Sequence, residues 1–248
     1  MNEFRSRRQF LNQNIKLLLA YGLAQSLWQR QAFSAPSSSS FEAWLSKVID
    51  VGNKLLAGSI EDLQFQTEID RLFLGADLVS LRKHIDFDRL TQNYDFGARG
   101  ERFVEFDPYT GRVILDPPTE NGRVVTKFAG VKRHAEIPAH GHLNTLSAFL
   151  ILHGEFEAKT YDKIQTREKS LVFSPALHQM QKPGMWTALS ESRSNIHQFK
   201  AVSSDSFFFS IKANQWRAGE PVQGRINLDM KRSREISPGV FEAPVLFG

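Results

Sequence analysis

Apolar residues between positions 41 and 93 recur at the three- and four-residue spacing of amphipathic helices. FEAWLSKVIDVGNKLLAG predicts one helix, with Gly58 as its C-terminal stop. In SIEDLQFQTEIDRLFL, Ser59 is the expected N-cap ahead of two acidic residues, and DLVSLRKHIDFDRL predicts a third, shorter helix. We expect these helices to pack on the outside of the domain formed by the rest of the chain, and their aromatic faces to belong to the core rather than to a cofactor site.

From about Phe103 the pattern changes to short apolar runs separated by turn residues. Strands are predicted in RFVEFDPYTGRVILDPP (two, around a Pro-Tyr-Thr-Gly turn), RVVTKFAGVKRHAEIPAHGH, LSAFLILHGEFEAKTYDKI, SLVFSPA, SNIHQFKAVS and DSFFFSIKA. Many short strands with regular turns indicate a β-sandwich or a small barrel. The tail from Asn214 to Gly248 has no clear pattern, and the sequence shows no internal repeat or phosphate-binding loop.

The first 35 residues have the layout of a cleavable export signal. A basic start precedes a modestly apolar stretch, Ile15–Trp28, and small residues up to Ala35. SRRQFL, with Arg7 and Arg8, resembles the twin-arginine signal, and a basic amphipathic helix of the domain itself is the alternative. The apolar stretch is too short for a stable membrane span. We therefore expect a periplasmic protein that uses the twin-arginine export machinery, with a flexible junction at 36–40.

Charge is concentrated in this leader. Five of the 31 basic and one of the 27 acidic residues fall within positions 1–35, which leaves 26 of each sign in the remainder. A neutral remainder without a basic stripe excludes a nucleic-acid partner and leaves a small-molecule substrate as the expected one. The chain has no cysteine, so disulfides, cysteine nucleophiles and thiolate metal ligands are excluded as well.

Two histidines stand one residue apart in IPAHGHLNTLSAFLILHGEF. In an extended strand, His140 and His142 point to the same face. Two adjacent imidazoles on an inward face are costly unless something satisfies them. A metal ion is the usual partner, because neutral imidazole is the commonest protein ligand for metals. The alternative is a pair satisfied without metal.

Other polar side chains near this stretch are weaker candidates. His153 lies at an odd offset from the pair, so strict alternation places it on the surface. His134 lies at an even offset, but Pro138 interrupts the strand. His178 falls in a predicted loop that could reach the barrel mouth. Tyr161 is either a hydrogen-bond donor in the pocket or half-buried packing.

The histidine pair, the turn at Gly154 and the later stretch KPGMWTALSESRSNIHQFKA resemble the two motifs of the cupin family. Cupins are double-stranded β-helix barrels of the jelly-roll type. The family's glutamate ligand would fall on Ser147, and Pro183, Gly184 and His197 match the second motif. The resemblance implies a mainly β chain with a signal peptide at 1–35, a helical extension at 36–100 and a cupin barrel at 101–248.

A closer resemblance, over roughly residues 130–212, is to the three-histidine thiol dioxygenases of the cysteamine dioxygenase and plant cysteine oxidase group. Both signatures of that group are matched in order, although Gly141 and Leu143 stand where the group has Asp and Pro. The matching residues are Ile137, Pro138, His140, His142, Leu152, Gly154, Lys159, Tyr161, Asp162, Asn195, Ile196, His197, Phe199 and Ala201.

The resemblance implies one divalent metal held by His140, His142 and His197, with Fe²⁺ as the expected metal and another divalent ion as the alternative. The common facial triad of iron oxygenases has two histidines and a carboxylate. Three neutral imidazoles leave more charge for an anionic ligand, such as a thiolate or an enolate, to offset. We expect an oxygenase that oxidises a small thiol or thiol-bearing peptide with O₂, with Tyr161 as a catalytic hydrogen-bond donor. The alternatives are an exported cupin that binds metal or ligand without turnover, and a barrel that has lost its metal.

Overall fold

The computed structural model describes residues 41–92, 94, 96, 102–106, 123–221 and 223–246. The predicted export signal, the junction at 36–40, the Pro-Tyr-Thr-Gly turn and the strand after that turn lie outside the described residues. Within the part that is described, no helix is long and apolar enough to cross a membrane.

Four helices precede the strands: α1 (Phe41–Leu56), α2 (Asp62–Leu74), α3 (Leu78–His84) and α4 (Phe87–Gln92). Two predictions about them are wrong. Ser59 is not the N-cap of α2, because its backbone N–H donates to the carbonyl of Lys54 at the end of α1, and Glu61 takes the cap position. The predicted third helix is two helices, interrupted where Asp86 adopts a left-handed φ of 52°.

The strands form two antiparallel sheets. The first sheet has the order β1-β2-β9-β4-β7, and the second has the order β10-β3-β8-β5-β6-β12-β11. The strands are β1 (Phe103–Phe106), β2 (Val124–Val131), β3 (Glu136–Leu143), β4 (Thr145–His153), β5 (Phe156–Thr166), β6 (Ser170–Gln181), β7 (Trp186–Leu189), β8 (Ile196–Ala201), β9 (Ser206–Asn214), β10 (Gln223–Leu228), β11 (Arg234–Ser237) and β12 (Val240–Leu246).

Strands β2 to β9 alternate between the two sheets except for β5 and β6, which pair as a hairpin in the second sheet, so β2-β9-β4-β7 faces β3-β8-β5-β6. This is the strand order of a double-sheet jelly roll, the architecture that includes the cupins. The expected mainly β jelly-roll barrel with N-terminal helices is therefore confirmed.

Sequence patterns missed several strands. The segment after Ala176, predicted as a loop, continues β6 as far as Gln181, and β7 follows it. The tail forms β10, β11 and β12, with a short 3-10 helix at Met230–Arg232. Strand β10 pairs with both β3 and β12, and β12 pairs with β6. The second sheet is therefore a closed ring, which β10 and β12 complete.

The helices cover the outer face of the first sheet, as predicted. Phe209 on β9 packs against Trp44 of α1 and Phe73 of α2, with ring centroids 5.5 and 6.2 Å away. The indole N–H of Trp186 on β7 donates to the carboxylate of Asp70 at 2.7 Å. The aromatic faces of the helices are core, which leaves the interior of the barrel for chemistry.

The second sheet separates two apolar clusters. The inner core lies between the sheets, and the second core lies inside the ring that β10 and β12 close. The inner core contains Ala129, Val131, Ile137, Phe149, Ile151, Phe156, Ala158, Leu189, Phe199, Ala201 and Phe208. The second core contains Ala139, Leu171, Phe173, Ile196, Leu228 and Ala243, with Tyr161, Ile226, Met230, Phe241 and Val245 packed against it.

Candidate metal centre

The three predicted histidines converge on the inner face of the second sheet. His140 on β3 and His197 on β8 are direct partners in the strand register, and His142 lies two residues further along the same face of β3. Their ring centroids are 4.2 to 5.5 Å apart, and one ligand nitrogen from each lies within 4.8 Å of the others. In the described chain this is the group of His, Cys, Asp and Glu side chains that could hold a metal ion.

A β-bulge in β3 aims His140 inward. Ile137 pairs with Phe199 and His140 pairs with His197, so three residue steps on β3 match two on β8. Ile137 and His140 therefore share the inner face despite their odd spacing, while Ala139 between them enters the second core. The bulge therefore places His140 and His142 on the inner face of the sheet, next to the inner core.

Backbone carbonyls orient two of the imidazoles. The Nδ1 atom of His140 lies 2.7 Å from the carbonyl oxygen of Pro138, and Nδ1 of His197 lies 3.4 Å from that of Asn195. A carbonyl oxygen only accepts, so each Nδ1 carries the proton and donates it. Nε2 of both rings is then the free lone pair, which is the tautomer that a metal requires.

Burial keeps two of the three histidines neutral. The side chains of His140, His142 and His197 are 2%, 8% and 1% exposed. Burial, followed by the charge of Arg225, lowers the pKa of His140 to about 4. Burial, followed by the neighbouring His140 and His142, holds the pKa of His197 well below its ordinary value. Two of the three imidazoles are therefore unprotonated at neutral pH, as metal ligands must be.

Asn195 ties the two histidine-bearing strands together. Its side-chain amide donates to the carbonyl of His142 at 3.0 Å, and its own carbonyl accepts from His197. A Cβ on Gly141 would come within 2.6 Å of the Asn195 Oδ1 atom. The lack of a side chain at Gly141 therefore leaves room for the Asn195 amide, which holds β8 against β3.

An aromatic floor closes the pocket below the histidines. Phe149 and Phe199 place their ring centroids 5.4 and 5.9 Å from that of His197, and Phe208 packs against both phenylalanines. Ile137 and Phe103 complete the apolar lining. A reactant held at the histidines would therefore meet apolar surface on its inner side.

Polar and charged side chains from both sheets complete the pocket. Inward residues of β9 change from Phe208 through Ser210 to Lys212, and Glu105 on β1 and Arg225 on β10 complete the lining. Glu105 forms an ion pair with Lys127 at 3.2 Å, and the Lys127 side chain is only 4% exposed. The pocket thus combines imidazoles and the guanidinium of Arg225 from the second sheet with the ammonium of Lys212 and the carboxylate of Glu105 from the first.

Ser147 occupies the place where the cupin pattern has a carboxylate ligand. It is 1% exposed on β4, and Lys212 on β9 is its direct cross-strand partner. Cross-strand partners share one face of a sheet, so a lysine lies beside the position where a glutamate would stand. The centre consists of three imidazoles without a carboxylate.

Other predicted candidates do not join this cluster. Tyr161 packs against Phe173, with ring centroids 5.1 Å apart, at the second core. The structure does not bring it together with the histidines, and its catalytic role stays a prediction. His153 is exposed, as predicted, and His134 is exposed in a turn. His178 lies on strand β6 rather than in a loop, and its ring forms a hydrogen bond with the Glu157 carboxylate.

The donor set suits a transition metal. Three buried imidazole nitrogens match the preference of Zn, Cu, Fe and Ni for imidazole, and they leave the pocket side of an ion open to other ligands. One ligand nitrogen from each ring lies within 4.8 Å of the others, close enough for the three to share an ion at metal–nitrogen distances of about 2.0–2.1 Å after the rings adjust. The residues therefore fit a divalent metal, although the donor set does not identify it.

Sequence reasoning gave no role to Asn195 and missed Glu105, Lys127, Lys212 and Arg225. A signal existed for Lys212, because SFFFSIKAN alternates and puts serine and lysine on one face of a buried strand. Arg225 had none, because the pattern did not predict its strand.

Comparisons with known proteins give only distant similarities. No protein-family model matches the chain. No curated protein matches it either.

Three solved structures are examples of these distant similarities. The Cnp3 cupin domain of Schizosaccharomyces pombe is 15% identical with a TM-score of 0.29, over 41% of this chain and 61% of that one. Brassica napus procruciferin, an 11S globulin, is 10% identical with a TM-score of 0.33, over 42% and 22%. An oxalate oxidase is 14% identical with a TM-score of 0.30, over 37% and 42%. Each match spans less than two thirds of the other chain, so the fold assignment rests on the strand order described above.

Proposed function

We propose that this protein is a metal-dependent oxygenase of the cupin type that uses iron and O₂ to oxidise a small thiol or a thiol-bearing peptide. The observation that carries the proposal is the group of three buried histidines without a carboxylate among them, facing a pocket with an aromatic floor. The resemblance of the IP-x-H-x-H and N-I-H motifs to thiol dioxygenases supports the thiol as substrate.

The proposed reaction needs no external reductant. A thiol and one O₂ give a sulfinic acid, in which the sulfur is oxidised by four electrons and both oxygen atoms become bonded to it. A bound divalent ion would lower the pKa of a ligating thiol and hold thiol and O₂ in contact.

The chain's own residues supply position and environment. The carbonyls of Pro138 and Asn195 hold the histidine rings in one tautomer, and Asn195 keeps β8 against β3. Phe149, Phe199 and Phe208 exclude water from the inner side of the pocket. Proximity of two bound reactants provides most of the rate gain in this scheme.

Metal analysis followed by oxygen uptake tests the proposal. Purified protein should contain about one divalent ion per chain, and the ferrous form should consume O₂ with at least one of cysteine, cysteamine, 3-mercaptopropionate and a peptide with N-terminal cysteine. The product mass should rise by two oxygen atoms. Protein that contains iron but consumes no O₂ with any of the four would favour the non-catalytic binding cupin. Protein that retains no divalent metal would favour the barrel that has lost its metal.

We also propose export by the twin-arginine route, with cleavage near Ala35. The support is the Arg7-Arg8 pair ahead of a short apolar stretch. Replacing both arginines by lysine keeps the charge, so loss of export in this double variant would point to the arginine pair itself. A mature protein that still reaches the periplasm in the double variant would contradict the route.

A further inference from the structure

The turn between β7 and β8, residues 190–195, connects the helical extension to the histidine-bearing sheet. The carboxylate of Asp62, at the start of α2, accepts the backbone N–H of Ser192 at 2.9 Å, although the two residues are 130 positions apart in the chain. Its other oxygen accepts the N–H of Leu63 at 2.8 Å, and Asp62 is only 7% exposed. Because hydrogen bonds to carboxylates are stronger than those between neutral groups, this contact fixes the turn to α2.

The same face of α2 also holds β7. Asp62, Gln66 and Asp70 are four residues apart, so they lie on one side of the helix. The Gln66 amide donates to the Ala188 carbonyl at 2.7 Å, and the Asp70 carboxylate accepts from the Trp186 indole at 2.7 Å. β7 is an edge strand of the first sheet, and α2 covers that edge. Gln66 and Asp70 thus bond to β7 itself, whereas Asp62 bonds to the turn that leads to β8.

The far end of the turn is held by the barrel. Asp162 on β5 accepts the backbone N–H of Ser194 at 2.7 Å, and the Thr160 hydroxyl donates to that of Ser194 at 3.1 Å. Ser194 adopts a left-handed φ of 54°, which a residue with a side chain keeps only where its surroundings fix it. The Asn195 amide then donates to the carbonyl of His142. The turn therefore joins α2, β5 and β3.

His197 depends on this turn because it lies near the end of its strand. It is the second residue of β8, and the register between β3 and β8 runs from the pair Glu136–Lys200 to the pair His140–His197. Strand pairing therefore holds His197 from the side of Ala201, and the turn holds it from the other side. The ends of elements open locally at a lower free energy than their centres, so the hold of the turn decides how often His197 is in place.

We propose that Asp62 is a positioning residue for His197: through the Ser192 N–H, α2 holds the β7–β8 turn, and the turn keeps the third imidazole in place for a metal ion. This role rests on the metal site of the proposed function and requires neither the thiol nor O₂. Without the Asp62 carboxylate, the start of β8 would open more often. The apparent Kd for a metal would then rise by the inverse of the fraction of time that His197 is in place.

Titration of the metal-free, full-length protein with Co²⁺ tests this role, because the visible absorption of bound Co²⁺ reports its ligand geometry. Asp62→Ala should raise the Kd about tenfold and alter the absorption bands. Asp62→Asn should raise the Kd only about threefold, because the amide oxygen can still accept the Ser192 N–H.

Gln66→Ala is the matched control, because it removes a buried hydrogen bond between α2 and β7 from the same face of the helix. It should leave the Kd for Co²⁺ within about twofold of the wild-type value and the absorption bands unchanged. Equal effects of Asp62→Ala and Gln66→Ala would overturn the inference, as would wild-type affinity in a folded Asp62→Ala protein. If Asp62→Ala does not fold, Asp62→Asn replaces it, and a Kd equal to that of wild type would overturn the inference.

Hydrogen exchange in the metal-free protein separates this role from the proposed function. The amides of residues 192–198 should exchange at least about tenfold faster in Asp62→Ala than in wild type or Gln66→Ala. Unchanged exchange in this segment would overturn the inference whether or not the protein binds metal. Faster exchange in a protein whose wild type binds no Co²⁺ would contradict the metal site alone, and Co²⁺ binding without O₂ uptake by the ferrous form would contradict the oxygenase alone.

Discussion

The two sides of the second sheet use the same strands for different purposes. On the inner side, β3 and β8 present His140 and His197, and on the other side the adjacent residues Ala139 and Ile196 pack in the second core. The inner side holds imidazoles above an aromatic floor together with charged side chains from both sheets, whereas the second core is apolar apart from the Tyr161 hydroxyl at its edge.

The difference shows that one sheet can carry buried polar groups on one side and an apolar core on the other. Buried imidazoles are tolerated when they are neutral and hydrogen-bonded, and a bound metal ion would satisfy their remaining lone pairs. The second core contributes apolar burial on the reverse of the same strands. We therefore expect damage on one side to change chemistry and damage on the other to change stability alone.

The largest effect expected is on the inner side, where His197→Ala should nearly abolish metal binding. Two imidazoles hold a metal poorly, so occupancy should fall from about one ion per chain to less than about a tenth. Metal analysis after gel filtration measures it, with the exposed His153→Ala as control. Equal metal retention in both variants would show that His197 is not the third ligand.

A matched pair of phenylalanines tests the two sides directly. Phe173 in the second core and Phe199 in the inner core are both 1% exposed, so Phe→Ala at either should lower the free energy of unfolding by about 3–5 kcal/mol. Only Phe199→Ala should also weaken metal binding by the folded protein, because its ring lies 5.9 Å from that of His197. Denaturant unfolding and metal titration separate the two quantities. Comparable loss of metal affinity in both variants would remove the distinction between the sides.

Acid should destabilise the metal-free protein through the inner side. His140 has a pKa of about 4 when folded, against about 6.5 in an unfolded chain, so below pH 6.5 the unfolded state binds more protons. The stability from this residue is fully present above pH 6.5 and is lost as the pH falls through 4, by about 3 kcal/mol in total.

The measurement for this pH effect is the unfolding free energy of wild type and His140→Gln from pH 7 to pH 4. The difference between the two should shrink as the pH falls, because glutamine does not titrate. A constant difference across this range would contradict the assignment of the effect to His140.

The smallest effect expected concerns Gly141 and Asn195. Gly141→Ala should cost about 1–3 kcal/mol, because its Cβ would lie 2.6 Å from the Asn195 Oδ1 atom. Asn195→Ala removes that atom, so the double variant should be about 1 kcal/mol more stable than the sum of the single effects predicts. Unfolding of the four proteins measures this coupling. Additive costs would show that the amide does not explain the glycine.

Local pattern was enough to predict much of the site and the fold. His140 and His142 share a face because they are two residues apart, and the short strands from Phe103 onward indicated a jelly roll. Alternation along β5 also predicts which of its residues face the histidines, and it argues against Tyr161. Phe156 and Ala158 are buried on the inner side, so Thr160, the partner of His197, belongs there and Tyr161 does not.

Other features depend on partners that are distant in the sequence. The bulge in β3 changes the parity between Ile137 and His140, and only the pairing with β8 reveals it. β11 is exposed along its whole length and β12 contains Pro244, so neither has the alternation of a half-buried strand. Arg225 could not be placed in the pocket without β10, which is itself defined by pairing with β3 and β12.

The closure of the ring by β12 has a consequence for the order of events during synthesis. His197, the last of the three histidines, leaves the ribosome well before residues 240–246, which pair with β6 and β10. At about 5–20 residues per second, this delay is roughly 2–10 seconds. During that interval the nascent chain already has all three imidazoles, while the strand that carries Arg225 still lacks one of its two neighbours. The three potential metal ligands are therefore made before the strand that carries Arg225 is fixed on both sides, so a chain interrupted in this window would have the histidines without the complete pocket lining.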